Sequence, residues 1–221
     1  MGKLINKKMQ FDILTIFPEI IEAYASESIL GRAQKKKVIS IKAYNFRDFT
    51  EDKHNKVDDK PYGGGPGMIL QVQPIYDCLK KIKATKKTKK QKIVIMDPDG
   101  KKFDQKMAKK FSKLNRLILI AGRYEGFDER IYKLVDERIS VGDYVLAGGE
   151  LPTLSVVEAT ARLIPEVLGN IESLTDETHN TEKSEYPQYT RPEDFKGMKV
   201  PKILLSGDHK KIEEWRRSKE K

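Results

Sequence analysis

The chain has 221 residues and a formal net charge of +10, with 43 lysines and arginines against 33 aspartates and glutamates. This length suits one sizeable core, or one domain with a small appendage. The sequence has no run of about eighteen apolar residues that would span a membrane. The basic balance permits nucleic-acid binding, but eight of the lysines fall within residues 80–92, a pattern typical of a solvated loop.

Strands and helices alternate along the first three quarters of the chain. Apolar alternation and short apolar runs predict strands at 11–17, 38–44, 92–96 and 117–121 and near 139. Helical spacing predicts helices over 18–33, 73–82, 105–113 and 151–163, with irregular structure over 45–67 and a turn at 97–100. The alternation predicts an α/β fold, with a mainly parallel sheet flanked by helices on both faces.

The composition changes after Pro165 and Gly169, which end the last of these helices. Residues 170–185 are polar and contain no Phe, Trp or Tyr, which is typical of a linker. A helix is predicted again over 210–219, with Ile212 and Trp215 on one stripe. We therefore predict a main domain over residues 1–168, a linker over 169–185 and a small helical C-terminal domain over 186–221.

The few cysteines and histidines limit the chemistry. Cys78 is the single cysteine, which excludes an internal disulfide and suits a reducing, cytoplasmic compartment. It falls in a helical pattern that favours a core residue over a nucleophile. His54, His179 and His209 lack zinc-type spacing, so we expect no structural metal.

Two glycine-rich segments each follow a predicted strand, one beginning at Gly122 and the other at Gly142. Loops that follow parallel strands emerge at one edge of the sheet, where ligands of open α/β folds bind. Glycine has no Cβ, so backbone groups there can approach a flat ligand closely. One pair of glycines would suggest only a tight turn. Two such loops, one with a glutamate that is expected to be buried, favour a binding site.

Five motifs resemble those of the bacterial tRNA (guanine-37-N1)-methyltransferase family: residues 58–68 (DDKPYGGGPGM), 122–126 (GRYEG), 142–146 (GDYVL), 148–152 (GGELP) and 189–192 (YTRP). They occur in the family's order, within a match from about Met9 to Arg216. The resemblance implies a trefoil knot in the main domain, with S-adenosylmethionine bent inside it. It also implies a homodimer with shared active sites, a tRNA substrate with guanosine at position 37, and a magnesium requirement.

The resemblance also implies site residues. The cofactor is expected on Pro98, Gly122, Glu125, Val141, Gly142, Asp143, Tyr144, Val145, Leu146, Gly148, Gly149 and Pro152. RNA contacts are expected from Asp59, Tyr62, Gly64, Arg123, Tyr189 and Arg191, although a loop tyrosine such as Tyr62 is as typical of packing as of base stacking. The tRNA-contacting domain over 186–221 is expected to be shorter than is usual in the family.

Methylation of guanine N1 needs a base that removes the N1 proton and a donor that stabilises charge on O6. Arg162 matches the family arginine for the second role; without the resemblance it would be a surface helix residue. The family's linker aspartate is not preserved, and an ungapped count from Arg162 puts Glu177 there, with Asp176 beside it. Either acid could be the base, or both could be solvated. The altered acid leaves a non-catalytic RNA-binding relative as the alternative, but the intact cofactor loops favour an enzyme.

Overall fold

The computed structural model describes residues 8–85, 88–168 and 186–219. The chain forms two compact units, one within residues 1–169 and the other within 170–221. The predicted linker, residues 169–185, lies outside the described residues. No helix in the described ranges combines the length and the apolar character needed to cross a bilayer.

The first unit is built on a parallel five-stranded sheet, which confirms the predicted α/β class. Its spatial order is β2-β1-β6-β5-β7, and a separate antiparallel pair, β3-β4, lies outside it. The central strands β1 and β6 are almost wholly buried, as expected for a parallel sheet covered on both faces. The strands of this unit are β1 (Met9–Thr15), β2 (Ile39–Asn45), β3 (Asp58–Asp59), β4 (Ile69–Leu70), β5 (Gln91–Lys102), β6 (Arg116–Ile120) and β7 (Glu137–Ser140).

Helices cover the two faces of this sheet and form a hydrophobic core on each. Side chains of successive strand residues alternate between the faces, so Leu117 and Leu119 enter one core while Ile118 and Ile120 enter the other. The first core also takes residues from α1, α2, α4 and α5, and the second takes residues from α3. The helices are α1 (Pro18–Ala25), α2 (Ser28–Lys35), α3 (Val72–Lys81), α4 (Gln105–Phe111) and α5 (Glu150–Ala161).

The helix predicted over 18–33 is two helices, because the helical conformation is interrupted after Ala25. The residue that opens α2, Ser28, has a positive φ of 50°, which a continuous α-helix does not allow. A Cβ on Gly31 would overlap the carbonyl of Ser26, so glycine lets the second helix pack close to the break. Apolar periodicity continues across both helices and therefore could not reveal the break.

β5 also differs from its prediction, which ended the strand at Met96 before a turn. The strand instead continues to Lys102, and residues 97–100 form a bulge in its pairing with β7, whose register shifts between Met96 and Lys101. A Cβ on Gly100 would lie 2.5 Å from the backbone nitrogen of Ile139, so this irregularity needs a glycine. The bulge places Asp97 and Pro98 at the carboxyl edge of the sheet.

The described residues of the second unit, 186–219, form a short hairpin, β8 (Asp194–Phe195) with β9 (Met198–Lys199), a 3-10 helix at Lys202–Leu205 and the α-helix α6 (His209–Lys219). The α-helix lies where the sequence predicts it. Trp215 on α6 packs against Tyr189, with 6.4 Å between ring centroids, and the guanidinium of Arg216 lies 5.0 Å from the ring centre of Tyr186.

Candidate active site

A cleft of about 320 Å³ lies at the bulge of β5 and beyond the carboxyl ends of β6 and β7. Its walls are the bulge at residues 96–98, the loop at 122–129 and the segment 139–149, closed by Pro152 on α5. These segments follow the carboxyl ends of adjacent parallel strands, the edge at which open α/β sheets bind ligands. The volume falls within the range of small-molecule sites.

All but two of the predicted cofactor residues line this cleft: Pro98, Gly122, Glu125, Val141, Tyr144, Val145, Leu146, Gly148, Gly149 and Pro152. The exceptions are Gly142 and Asp143. The carboxylate of Asp143 is 85% exposed and pairs with the Lys102 ammonium at 2.6 Å. A Cβ on Gly142 would overlap the ring of Tyr144, so this glycine makes room for a cleft side chain without lining the cleft.

The glycines join the two loops to each other. The backbone nitrogen of Gly149 donates to the carbonyl of Gly122 at 2.8 Å. A Cβ on Gly149 would lie 2.7 Å from the Cα of Ala121, and one on Gly122 would lie 2.5 Å from the Phe127 ring. At Gly148 a Cβ would overlap Arg123. These glycines were predicted to let a ligand approach the backbone, but the close packing of neighbouring protein segments already requires them.

A buried ion pair holds the same loops against β1 and α5. The Glu150 side chain is 2% exposed; one of its oxygens accepts from Thr15 Oγ1 at 2.7 Å and the other from Arg123 Nε at 3.0 Å. The Arg123 guanidinium also lies 4.7 Å from the ring centre of Phe17. Arg123 lines the cleft but is committed to these contacts, and its predicted contact with RNA stays a prediction.

A second cluster supports the opposite wall. Asp97 accepts from the hydroxyl of Tyr132 at 2.7 Å and from Nε of Arg138 at 3.1 Å. The guanidinium of Arg138 lies 4.4 Å from the centre of the Tyr132 ring. Burial, together with the hydrogen bond to the Asp97 carboxylate, raises the pKa of Tyr132 well above its ordinary value. The tyrosine therefore stays protonated and keeps donating to Asp97.

No site role was predicted from the sequence for Thr15, Asp97, Tyr132 or Glu150, although a buried glutamate was expected in one of the two loops. The sequence positions of two of them indicate the carboxyl edge of the sheet: Thr15 ends β1, and Asp97 directly follows the buried part of β5. Glu150 opens α5, where a carboxylate is favoured by the helix dipole. None of these positions reveals the partner, because Thr15 and Glu150 are 135 residues apart.

The loop predicted to meet RNA is attached to the cleft. This loop, residues 58–68, starts with β3 and leads into β4. The carbonyl of Met68 accepts from the backbone nitrogen of Glu125 at 3.0 Å. Gly64 adopts a positive φ of 82°, and the Tyr62 side chain is fully exposed. A fully exposed aromatic ring is available for stacking on a base, whereas packing, the other interpretation of Tyr62, would have buried it.

The remaining predicted residues lie elsewhere. Arg162 caps the carboxyl end of α5 and is half-buried, with its backbone nitrogen 3.0 Å from the carbonyl of Glu158. Glu177 and Asp176, the candidate bases, lie outside the described residues. Tyr189 and Arg191 are exposed residues of the second unit, and Asp59 is exposed on β3.

Comparison with known proteins identifies relatives along nearly the whole chain. Residues 9–221 match the model of the family described as tRNA (Guanine-1)-methyltransferase TrmD. A tRNA (guanine-N(1)-)-methyltransferase of Pediococcus pentosaceus is 48% identical over 95% of this chain and 86% of its own. Proteins of the same name from Ruminiclostridium cellulolyticum and Clostridioides difficile are each 51% identical, over 94% and 95% of this chain and 89% and 91% of theirs.

Proposed function

The chain belongs to the tRNA (guanine-1)-methyltransferase family, and on that basis we propose that it transfers a methyl group from S-adenosylmethionine to N1 of guanosine 37 in tRNA. The structural observation that carries the proposal is the cleft at the carboxyl edge of the sheet, where the loops of two family motifs are hydrogen-bonded to each other. The exposed Tyr62 loop beside it offers a surface for the substrate nucleotide.

The cleft fits the cofactor chemically. An adenosyl group needs apolar walls and backbone hydrogen-bond partners, and Ile139, Val141 and Leu146 stand among the loop backbones here. The acidic residues Glu125 and Glu129 also line the cleft and complement a positively charged sulfonium, whereas Asp97 is already paired with Arg138. When bound, the cofactor supplies an electrophilic methyl group.

The protein's own task is to position guanine and to manage its proton. We propose that Glu177 or Asp176 removes the N1 proton and that the Arg162 guanidinium stabilises the charge that develops on O6. Arginine suits this position because its planar fork can also read a guanine edge.

Finer features of the family belong to the proposal as well. We propose a trefoil knot, supported by the path of the chain after the edge strand β7. This segment returns to the loop after β6, where the Gly149 nitrogen donates to the Gly122 carbonyl, and then to the end of β1, where Glu150 accepts from Thr15. We propose a homodimer with shared active sites in the cytoplasm, a compartment that suits the single cysteine. The described residues hold no group of three potential metal ligands, so no step is assigned to magnesium; adding EDTA to the assay tests whether it is required.

The decisive experiment incubates the protein with labelled S-adenosylmethionine and tRNA transcripts that carry either G or A at position 37. Label should enter the G transcript and not the A transcript. Equal labelling of both would place the methyl group on another nucleotide. Absence of label, with both ligands shown to bind, would instead identify a non-catalytic RNA-binding relative.

A further inference from the structure

The first unit has a second depression, a groove of about 390 Å³ beside the edge strand β7. It runs along the sheet from Lys92, near the amino end of β5, to Lys101, near the carboxyl end of that strand. Basic side chains dominate its lining, with one acid and an apolar floor: Lys92, Lys101, Lys110 and Arg138, then Glu137, then Met107, Phe111 and Leu114.

Two of the four cations are already neutralised. Lys92 pairs with Glu137, and Arg138 pairs with Asp97 at 3.0 Å. Within the described part of the chain, Lys101 and Lys110 form no ion pair, and both are exposed. The groove therefore carries net positive charge, and its apolar floor suits lysine stems, which cover apolar surface while the ammonium group stays in water.

The positive surface continues beyond the groove. Residues 105–113, which form α4 and the start of the turn after it, contain four lysines and no acid. Lys90, in the lysine-rich connection before β5, donates from Nζ to the carbonyl of Lys113 at 3.5 Å. Lys90 and the turn after α4 thus meet at the amino edge of the sheet, away from the cleft.

We propose that this basic groove and the lysines that continue it bind the phosphate backbone of the substrate tRNA outside its anticodon branch. The charges are spread along a strand, a helix and a turn, which suits an extended polyanion better than a single small anion. Most are lysines, which act as point charges towards phosphates and do not read sequence. The part of β5 from Lys92 to Met96, where the cleft begins, is about 13 Å long, so a bound RNA must extend past the cleft to reach the amino edge. The inference rests on the proposed function, because the cleft has to hold the target nucleotide.

The test compares two double variants of the full-length protein. Lys101→Gln with Lys110→Gln removes two groove charges, one on a strand and one in the last turn of a helix. Lys42→Gln with Lys35→Gln is the matched control, since both residues are exposed and lie on the edge strand β2 and in the last turn of α2. Affinity for the tRNA transcript is measured across a range of salt concentrations.

We expect the groove variant to bind the transcript roughly tenfold more weakly at low salt and to reduce the slope of log affinity against log salt by about 1.5, since each phosphate contact contributes about 0.7–0.9. The control should retain the parent slope. Affinity for S-adenosylmethionine should be unchanged in both, and an isolated anticodon stem–loop should bind the groove variant as tightly as the parent.

Equal losses in the two variants would overturn the proposal, because only net charge would then matter. Loss of stem–loop binding in the groove variant would also overturn it, by placing the contact within the anticodon branch. Failure of the proposed function is distinct: a parent that binds the transcript but does not methylate it would refute the activity while the salt slopes still report on the groove. A parent that does not bind tRNA would refute both.

Discussion

Glu150→Gln should loosen the cleft, because the substitution removes a buried charge while keeping the shape of the side chain. The glutamine oxygen can still accept from Thr15, but Arg123 loses its ion-pair partner. Charge-assisted hydrogen bonds contribute about 1.5–3 kcal/mol. A carboxylate in the first turn of a helix adds about 0.3–1 kcal/mol, which this variant also loses at α5.

The Glu150→Gln variant should not lose the full sum of these two stabilising contributions. Breaking a wholly buried pair costs about 3–5 kcal/mol, but the Arg123 side chain is 26% exposed and can be hydrated where it reaches the surface. We therefore expect the free energy of unfolding to fall by about 2 kcal/mol. If the whole loss reflected disorder of the loops at 122–126 and 145–149, ligand binding would have to restore that order. Affinity for S-adenosylmethionine would then fall by at most roughly 30-fold.

Urea denaturation and calorimetric titration of S-adenosylmethionine measure the two effects. Glu158→Gln is the matched control, since it makes the same change on the same helix, where Glu158 accepts an exposed hydrogen bond from Tyr24; it should cost less than about 0.5 kcal/mol. A double-mutant cycle with Arg123→Gln should give a coupling of about 1–2 kcal/mol. If Glu150→Gln were as mild as its control and the cycle were additive, the ion pair would not hold the loops.

Three further predictions concern single positions. Gly148→Val should abolish S-adenosylmethionine binding by displacing Arg123, as calorimetry on the folded variant would show; near-normal affinity would contradict the close packing. Glu177→Gln should slow single-turnover methyl transfer by about a hundredfold or more while cofactor and tRNA binding change little, and Asp176→Asn should be mild; the reverse ranking would make Asp176 the base. Cys78 is buried, and burial raises the pKa of its thiol to about 12, so the thiol is protonated at pH 8. It should resist iodoacetamide in the native protein and react after unfolding; rapid native labelling would show that α3 opens.

The parallel sheet was predictable because its signal is local. The apolar run at Leu117–Ala121 and the burial of Cys78 follow from composition and periodicity, and the structure confirms both. The glycine loops were placed at the right edge for the same reason, since the carboxyl ends of parallel strands share an edge.

The support of the cleft could not be predicted, because it depends on contacts between distant segments. Arg123 was predicted to contact RNA, and only the fold brings it to Glu150, which also binds Thr15. The bulge after Met96 likewise depends on the backbone of β7 approaching Gly100. Local pattern identifies the segments that line the cleft, while the pairing of side chains across them is a property of the tertiary structure.

The hydrogen bond between Thr15 and Glu150 also has a consequence for folding during synthesis on the ribosome. A ribosome adds about 5–20 residues per second, so about 7–27 s separate the synthesis of these two residues. During that time β1 can pair with β2, but its other neighbour, β6, begins only at Arg116. The apolar strand Met9–Thr15 therefore emerges early with one edge unpaired, which makes it the segment of the nascent chain that a chaperone would most usefully protect.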